Sequence, residues 1–296
     1  MIKLENKDII IEINPFGAEL YSIQTKDDNH EWLWQGDKRY FAQRSPILFP
    51  VVGLLKDGVY SYNGKTYEMP LHGFAAKKAF YVIKQEKDQV TFGLVDDIDT
   101  HKIYPFKFRL EVSYTISGSS VEVQYQVHNL SSKTMLFSIG AHPAFNVPFS
   151  SGEEYSDYYL EFTQKETLRR RLFENRLFTG ERKTIVEDNT ILPLNHDLFF
   201  VDKAVVLDDL KSETLWIRHK TNPHSIRFDF SGFPYMGLWS TPGEHAPFLC
   251  IEPWYGIGAD KDDSMPLKDK EGIVELDEHS KFQSKYKISI ESKDTN

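Results

Sequence analysis

The sequence predicts an all-β protein built of large antiparallel sheets, and three observations lead there. Apolar residues recur at every second position, as in "KFRLEVSYTIS", where Phe108, Leu110, Val112, Tyr114 and Ile116 share a face with mostly polar residues between them. Clusters of Gly, Pro, Asn and Asp separate such runs at short intervals. No segment of about a dozen residues sustains a helical period. Strands without crossover helices imply antiparallel pairing in sheets packed face to face.

In chain order, "DIIIEI" (8–13) and "AELYSIQT" (18–25) read as the first strands. "YSYNGKTY" (60–67) reads as a small hairpin, because Asn63 and Gly64 suit a turn that needs positive φ. "AFYVIKQ" (79–85) and "VTFGLV" (90–95) follow. Residues 107–128 predict a long antiparallel hairpin: beyond the turn "SGSS", Val121, Val123, Tyr125 and Val127 resume the alternation. "YYLEFT" (158–163), "ETLWIRH" (213–219), "SIRFDF" (225–230), "YMGLWST" (235–241) and "KYKISIE" (285–291) complete the set. The charged stretch 165–200, with Gly180 and Pro193, reads as a long excursion over a sheet surface. Nothing in the sequence marks a repeat or a linker, so residues 1–296 are expected to form one domain.

Composition narrows the function. With 40% hydrophobic and 14% aromatic residues against 27% charged, the chain can bury a sizeable core. A net charge of −9 without a basic stripe argues against nucleic acid; Arg169, Arg170 and Arg171 read as a solvated edge. One cysteine, Cys250 in apolar "FLCIEPW", rules out an internal disulfide framework and reads as a buried inert thiol. No apolar run is long enough to span a membrane, and the N-terminus lacks the pattern of a secretory signal, so a cytoplasmic protein is expected.

Four segments set polar or titratable groups beside turn formers and aromatics: "FAQRSPILFP" with Arg44, "MPLHGFAA" with His72, "GAHPAFNVP" with His142 and "CIEPWYGIGAD" with Glu252. Each has a plainer use. Glu252 could be a strand-end carboxylate, His72 a turn residue and Arg44 a surface ion-pair partner. His142 stands out because the apolar "SIGA" before it implies partial burial, where an imidazole needs a partner. The ten histidines show no zinc spacing, and neither a Gly-x-Ser-x-Gly elbow nor a Gly-rich phosphate loop occurs, so no metal and no cofactor are expected. A carboxylate with histidines and an arginine is a set for reversible proton transfer. Trp34, Trp239, Trp254 and Phe74 could offer faces to a sugar ring.

These segments resemble the aldose 1-epimerases, or galactose mutarotases, and among them the LacX-type branch. The resemblance runs nearly end to end, through "INPFGAELYSI", "RSPILFPVVGLLKDGVYSYNGKTYEMPLHGFA", "YPFKFRLEVSYTI", "VQYQVHNL", "FSIGAHPAFNVP", "LFFVDKAVVLDDLKS" and "CIEPWYGIGAD". It implies the galactose mutarotase-like supersandwich and the cofactor-free interconversion of α and β anomers of an aldose. It also implies roles: Glu252 as base, His142 as acid, His72 stabilising charge at the ring oxygen, and Arg44 and Asp202 binding hydroxyls. Since both reacting oxygens hang on one carbon, the Glu252 and His142 heads are expected about 5–6 Å apart.

The chain departs from galactose-converting members at Arg44-Ser45, Phe74, Ala144 and Trp254, positions the resemblance would place at the substrate. Ala144 stands where those members carry a tyrosine, which suggests extra space. The departures leave the sugar open, phosphorylated sugars included. They also leave a second reading, a sugar-binding or sensing protein without turnover. A glycoside hydrolase would need a second acid, such as Asp202 or Asp260, beside Glu252. The expected partner is a small sugar bound by a monomer or homodimer.

Overall fold

Two antiparallel sheets carry the architecture in the computed structural model of the chain, which describes residues 1–200 and 203–292. The larger runs Asn189–Pro193, Tyr158–Glu166, Thr214–His219, His224–Asp229, Lys281–Ser292, Ser120–Asn129, Phe108–Ser117, Gln89–Val95 and Tyr81–Gln85 from edge to edge. The smaller orders Val205–Leu207, Tyr235–Trp239, Phe248–Tyr255, Ile139–Ala141 and Ile47–Leu48, and Ala144–Asn146 also pairs with Phe248–Tyr255. Ile2–Glu5, Ile9–Asn14 and Glu19–Thr25 form a three-stranded sheet of their own. The all-β class expected from the alternation is the class observed.

The predicted long hairpin shows why. Val121, Val123, Tyr125 and Val127 lie opposite Ile116, Tyr114, Val112 and Leu110, and all eight are buried while the residues between them are not. Slipping the register by one residue would turn that whole set to solvent. The small hairpin turns through Asn63 (φ 48°) and Gly64 (φ 74°), the left-handed pair that a two-residue turn demands. Among the described residues the α-helix is a single short one, Ile98–Ile103, started by the Asp97 carboxylate accepting from the Asp99 and Thr100 N–H groups.

Rings cover the inner face of the larger sheet: Phe49, just beyond Ile47–Leu48, on Phe108 (5.2 Å between centroids), Phe145 on Phe228 (6.1 Å), and Phe137, from the separate two-stranded sheet of Met135–Phe137 and Val274–Leu276, on Phe282 (5.4 Å). The buried cluster draws residues from Leu4 to Ile290. Each such aromatic contributes about 1.5–3 kcal/mol by leaving water, so the two layers are held by many parallel contacts.

The stretch 165–200 corrects the expectation of an excursion. Arg169–Glu174 and Leu177–Thr184 form a hairpin, and Asn189–Pro193 is an edge strand of the large sheet. The arginine run is also more than a solvated edge. Arg169 is exposed, but Arg170 and Arg171 are buried. Arg170 donates to the carbonyls of Leu198 and Ala204, and Arg171 donates to Asp208 (2.7 Å) and Glu271 (2.8 Å). Burial alone would raise the Asp208 carboxyl; the guanidiniums of Arg182 and Arg171 outweigh it and hold the group below the usual carboxylate range. These two arginines tie the hairpin to the smaller sheet.

Candidate active site

The strand Phe248–Tyr255 sits in the interior of the smaller sheet, and alternation decides what each residue meets. Leu249 and Ile251 enter the main core. Cys250, Glu252 and Trp254 point to the opposite face, where two smaller apolar clusters flank Glu252, one around Trp254 and Phe178, the other around Cys250, Trp34 and Phe248.

His142 reaches Glu252 through register. Ile139–Ala141 pairs with this strand with Gly140 opposite Trp254, and Ala144–Asn146 resumes the same register with Ala144 opposite Cys250. His142 and Pro143 interrupt the ladder, since proline has no N–H to donate, yet the Pro143 carbonyl still accepts from Ile251 N at 3.1 Å. The unbroken register sets His142 directly across from Glu252. Their Nε2 and Oε2 atoms are 3.3 Å apart, and both side chains are almost wholly buried. This is closer than the expected separation, because cross-strand neighbours touch when nothing lies between them.

Burial pushes the Glu252 carboxyl well above the usual range, offset slightly by the Trp254 N–H. Burial, and then the His72 ring, pull His142 down to about 3. Both groups are thereby held toward their uncharged forms, a carboxylic acid facing a neutral imidazole, with the proton of the pair on Glu252.

His72 is the third titratable group here. Its ring lies 5.7 Å from that of His142, at 87°. Its backbone is left-handed (φ 62°). The Gly73 that follows must be glycine, because a Cβ there would sit 2.2 Å from the Phe49 carbonyl oxygen. The Gly53 N–H donates to Nδ1 (3.1 Å), which puts the proton of the neutral ring on Nε2. Burial, then the Arg176 charge, lower His72 to about 4.

Phe41 stacks on His142 (5.2 Å, 27°), and Trp239 meets its ring at 5.7 Å and 72°. The Trp254 indole lies across Gly140 and Gly237: a Cβ on Gly140 would come 2.4 Å from Trp254 Cδ1, and one on Gly237 2.5 Å from Cζ2. His142 Nδ1 and Arg44 Nε are buried with no hydrogen-bond partner among the described residues.

The structure thus brings Glu252, His142, His72, Trp239 and Trp254 together. Arg44 is held nearby through its backbone, its carbonyl accepting from Ala144 N, but its guanidinium lies 3.7 Å over the Tyr21 ring and makes no contact with the pair. Phe74 departs from expectation: it is buried among Phe49, Tyr104 and Phe108 as a core ring. Asp202 lies outside the described residues. Ala144 opens no space, because Trp34, Phe248 and Cys250 pack around it. Asp260 is engaged in the loop beside the Phe178 strand, and no second carboxylate joins Glu252 among the described residues.

Phe41, Gly140 and Gly237 escaped the sequence reading. The two glycines sit inside strand runs, which is the signal that would have found them. Two surface cavities, about 270 Å³ beside Lys270 and about 490 Å³ beside His196 and His245, share no lining residue with the pair. Among the described residues, His142, Cys250 and Glu252 could hold a metal, their donor atoms lying within 4.8 Å of one another.

Residues 1–263 match the family model for aldose 1-epimerase. Protein LacX, chromosomal, of Lactococcus lactis subsp. lactis is 34% identical over 98% of this chain and 99% of its own. A galactose mutarotase related enzyme from Lactobacillus acidophilus superposes with a TM-score of 0.94 at 32% identity, covering 98% of this chain and 97% of its own. A galactose mutarotase-like protein from Lactobacillus casei gives 0.92 at 32% identity, covering 98% and 100%.

Proposed function

The chain belongs to the aldose 1-epimerase family, and from that premise we propose that it interconverts the α and β anomers of an aldose by acid and base opening of the ring. The observation that carries the reading is the buried approach of His142 and Glu252, a base and an acid set head to head at 3.3 Å.

Ring opening removes the proton of the C1 hydroxyl while another proton reaches the ring oxygen; rotation about C1–C2 and reclosure with roles exchanged give the other anomer. A neutral acid and base pair suits this, because it can accept at one head and give at the other without a net charge appearing in a dry site. Once the pair's proton has passed from Glu252 to His142, Glu252 serves as base toward the C1 hydroxyl and His142 as acid toward the ring oxygen, and the roles reverse on closure. Sugar binding inserts C1 and its two oxygens between the heads, widening the 3.3 Å contact to about the 5–6 Å that the chemistry requires. His72 Nε2–H is available to donate to the developing charge.

Trp239 and Trp254 offer apolar faces for the C–H side of the ring, and the unpaired Nδ1 of His142 suits a ligand rich in hydroxyls. Arg44 and Asp202 would bind hydroxyls of the sugar; Phe74 supports the pocket from the core. The reading includes one domain over residues 1–296, supported by the continuous buried cluster, and a cytoplasmic protein acting as monomer or homodimer. Among the described residues no helix is long and apolar enough to cross a membrane.

The test is anomer exchange by saturation-transfer NMR over a panel of free and phosphorylated aldoses. Exchange above the buffer rate is expected for at least one sugar, with His142→Asn and Glu252→Gln each lowering it about 10²–10⁴-fold. No exchange, or undiminished variants, overturns the reading. Saturable binding without exchange would instead identify a sugar-binding protein.

A further inference from the structure

The face that presents the pair also presents a thiol. Cys250 and Glu252 are two apart on one strand, hence on one side of the sheet, and His142 stands across from Glu252 on the next strand. Three donors of different kinds, sulfur, nitrogen and oxygen, therefore converge on rigid backbone, with all three residues buried.

We propose that His142, Cys250 and Glu252 form a binding site for a thiophilic divalent cation, Zn²⁺ in the first instance, whose occupation shuts off the sugar site. Tetrahedral Zn²⁺, with bonds of about 2.0–2.3 Å, wants its donors roughly 3.3–3.6 Å apart. His142 Nε2 and Glu252 Oε2 already stand at 3.3 Å. Cys250 Sγ lies within 4.8 Å of a ring nitrogen of His142 and a carboxylate oxygen of Glu252, so it closes by about an ångström through side-chain rotation.

Charge favours the exchange as well. Zn²⁺ enters as the thiol proton of Cys250 and the carboxyl proton of Glu252 leave, so two positive charges replace two and the buried site stays neutral. A thiolate and an imidazole select Zn²⁺ or Cd²⁺ over Mg²⁺ and Ca²⁺, which take oxygen ligands. The exposed edge of His142, 8% of the residue, is the way in. With three protein ligands the fourth position stays open, but both groups that would handle the sugar's protons are then occupied.

The chain has one cysteine, so a thiolate-to-cadmium charge-transfer band reports on Cys250 alone. The full chain, freed of metal with a chelator, is titrated with Cd²⁺ and then with Zn²⁺ as competitor. The expected result is a saturable ultraviolet band, abolished by Zn²⁺ and weakened at least about tenfold in affinity in His142→Asn and Glu252→Gln. For any sugar that exchanges, Zn²⁺ should inhibit in competition with it, reversibly by chelator, and Cys250→Ser should need at least about tenfold more Zn²⁺ relative to its own metal-free rate.

No band on the wild-type chain overturns the proposal, whether or not any variant folds. So does a band unchanged in both pair variants, which would mean the thiol binds alone, and so does equal inhibition of wild type and Cys250→Ser. The band does not depend on turnover: a Zn²⁺-displaced band without anomer exchange leaves this site standing and removes the mutarotase reading, and exchange without a band does the reverse.

Discussion

At the scale of single residues, the proposed site is the buried pair His142 and Glu252, and its position on the pH axis follows from burial. An exposed histidine would change charge near pH 6.5. His142 is held neutral down to about 3 and His72 to about 4, so neither titrates across neutrality. The rate of anomer exchange is therefore expected to show no inflection at pH 6.5 and to persist toward about pH 4. The alkaline limb should come from Glu252, whose raised carboxyl gives up the pair's proton and leaves the pair with nothing to donate. A pH–rate profile by saturation-transfer NMR that breaks near 6.5 would contradict this assignment. These residues were legible because a histidine before proline and a carboxylate amid apolar neighbours need partners. Phe41 and Cys250 were not, since an aromatic or a buried thiol has the same local signature in any core, and only tertiary contact shows that one covers His142 and the other flanks it.

At the scale of elements, the sequence was readable wherever one face of a strand meets solvent. Residues 108–129 announce themselves by strict alternation. Phe248–Tyr255 does not, because seven of its eight residues are buried and both faces carry apolar neighbours. The hairpin at 169–184 hid for the opposite reason: Leu177–Thr184 is mostly exposed and charged, and its place depends on Arg171 meeting Asp208 and Glu271.

The glycines of the neighbouring strands are informative. Gly237 lies opposite Glu252, and a Cβ there would stand 3.2 Å from Glu252 Cβ and 2.5 Å from Trp254 Cζ2. Gly237→Ala must displace the indole. We expect a loss of about 1–3 kcal/mol, read as a lower melting temperature, and a weaker KM for the sugar as Trp254 swings from its place. An unchanged melting temperature and KM would show that Trp254 is free to move and holds no substrate.

At the scale of the molecule, the same burial that prepares the pair makes stability depend on pH, with signs that can be separated. His142 and His72 have folded values of about 3 and about 4 against 6.5 when unfolded. Between those limits the unfolded chain holds more protons, so their contribution is complete above 6.5 and is lost as pH falls toward 4. Glu252 has the opposite sign: its folded value is raised above 4.5, so the folded chain holds the extra proton and its contribution declines as pH rises past 4.5. Between pH 4.5 and 6.5 the two histidines oppose the one carboxylate, each group acting with a limiting slope of about 1.4 kcal/mol per pH unit. Glu252→Gln keeps an uncharged group of similar shape and deletes only the opposing slope, so stability should rise more steeply with pH than in the wild type. His142→Asn deletes one histidine slope, so it should rise less steeply. Melting temperatures of the three proteins across this window decide the matter: all other carboxylates titrate alike in each, so parallel curves would mean that neither group is held uncharged, and curves ordered Glu252→Gln, wild type, His142→Asn would place the pair's proton on Glu252.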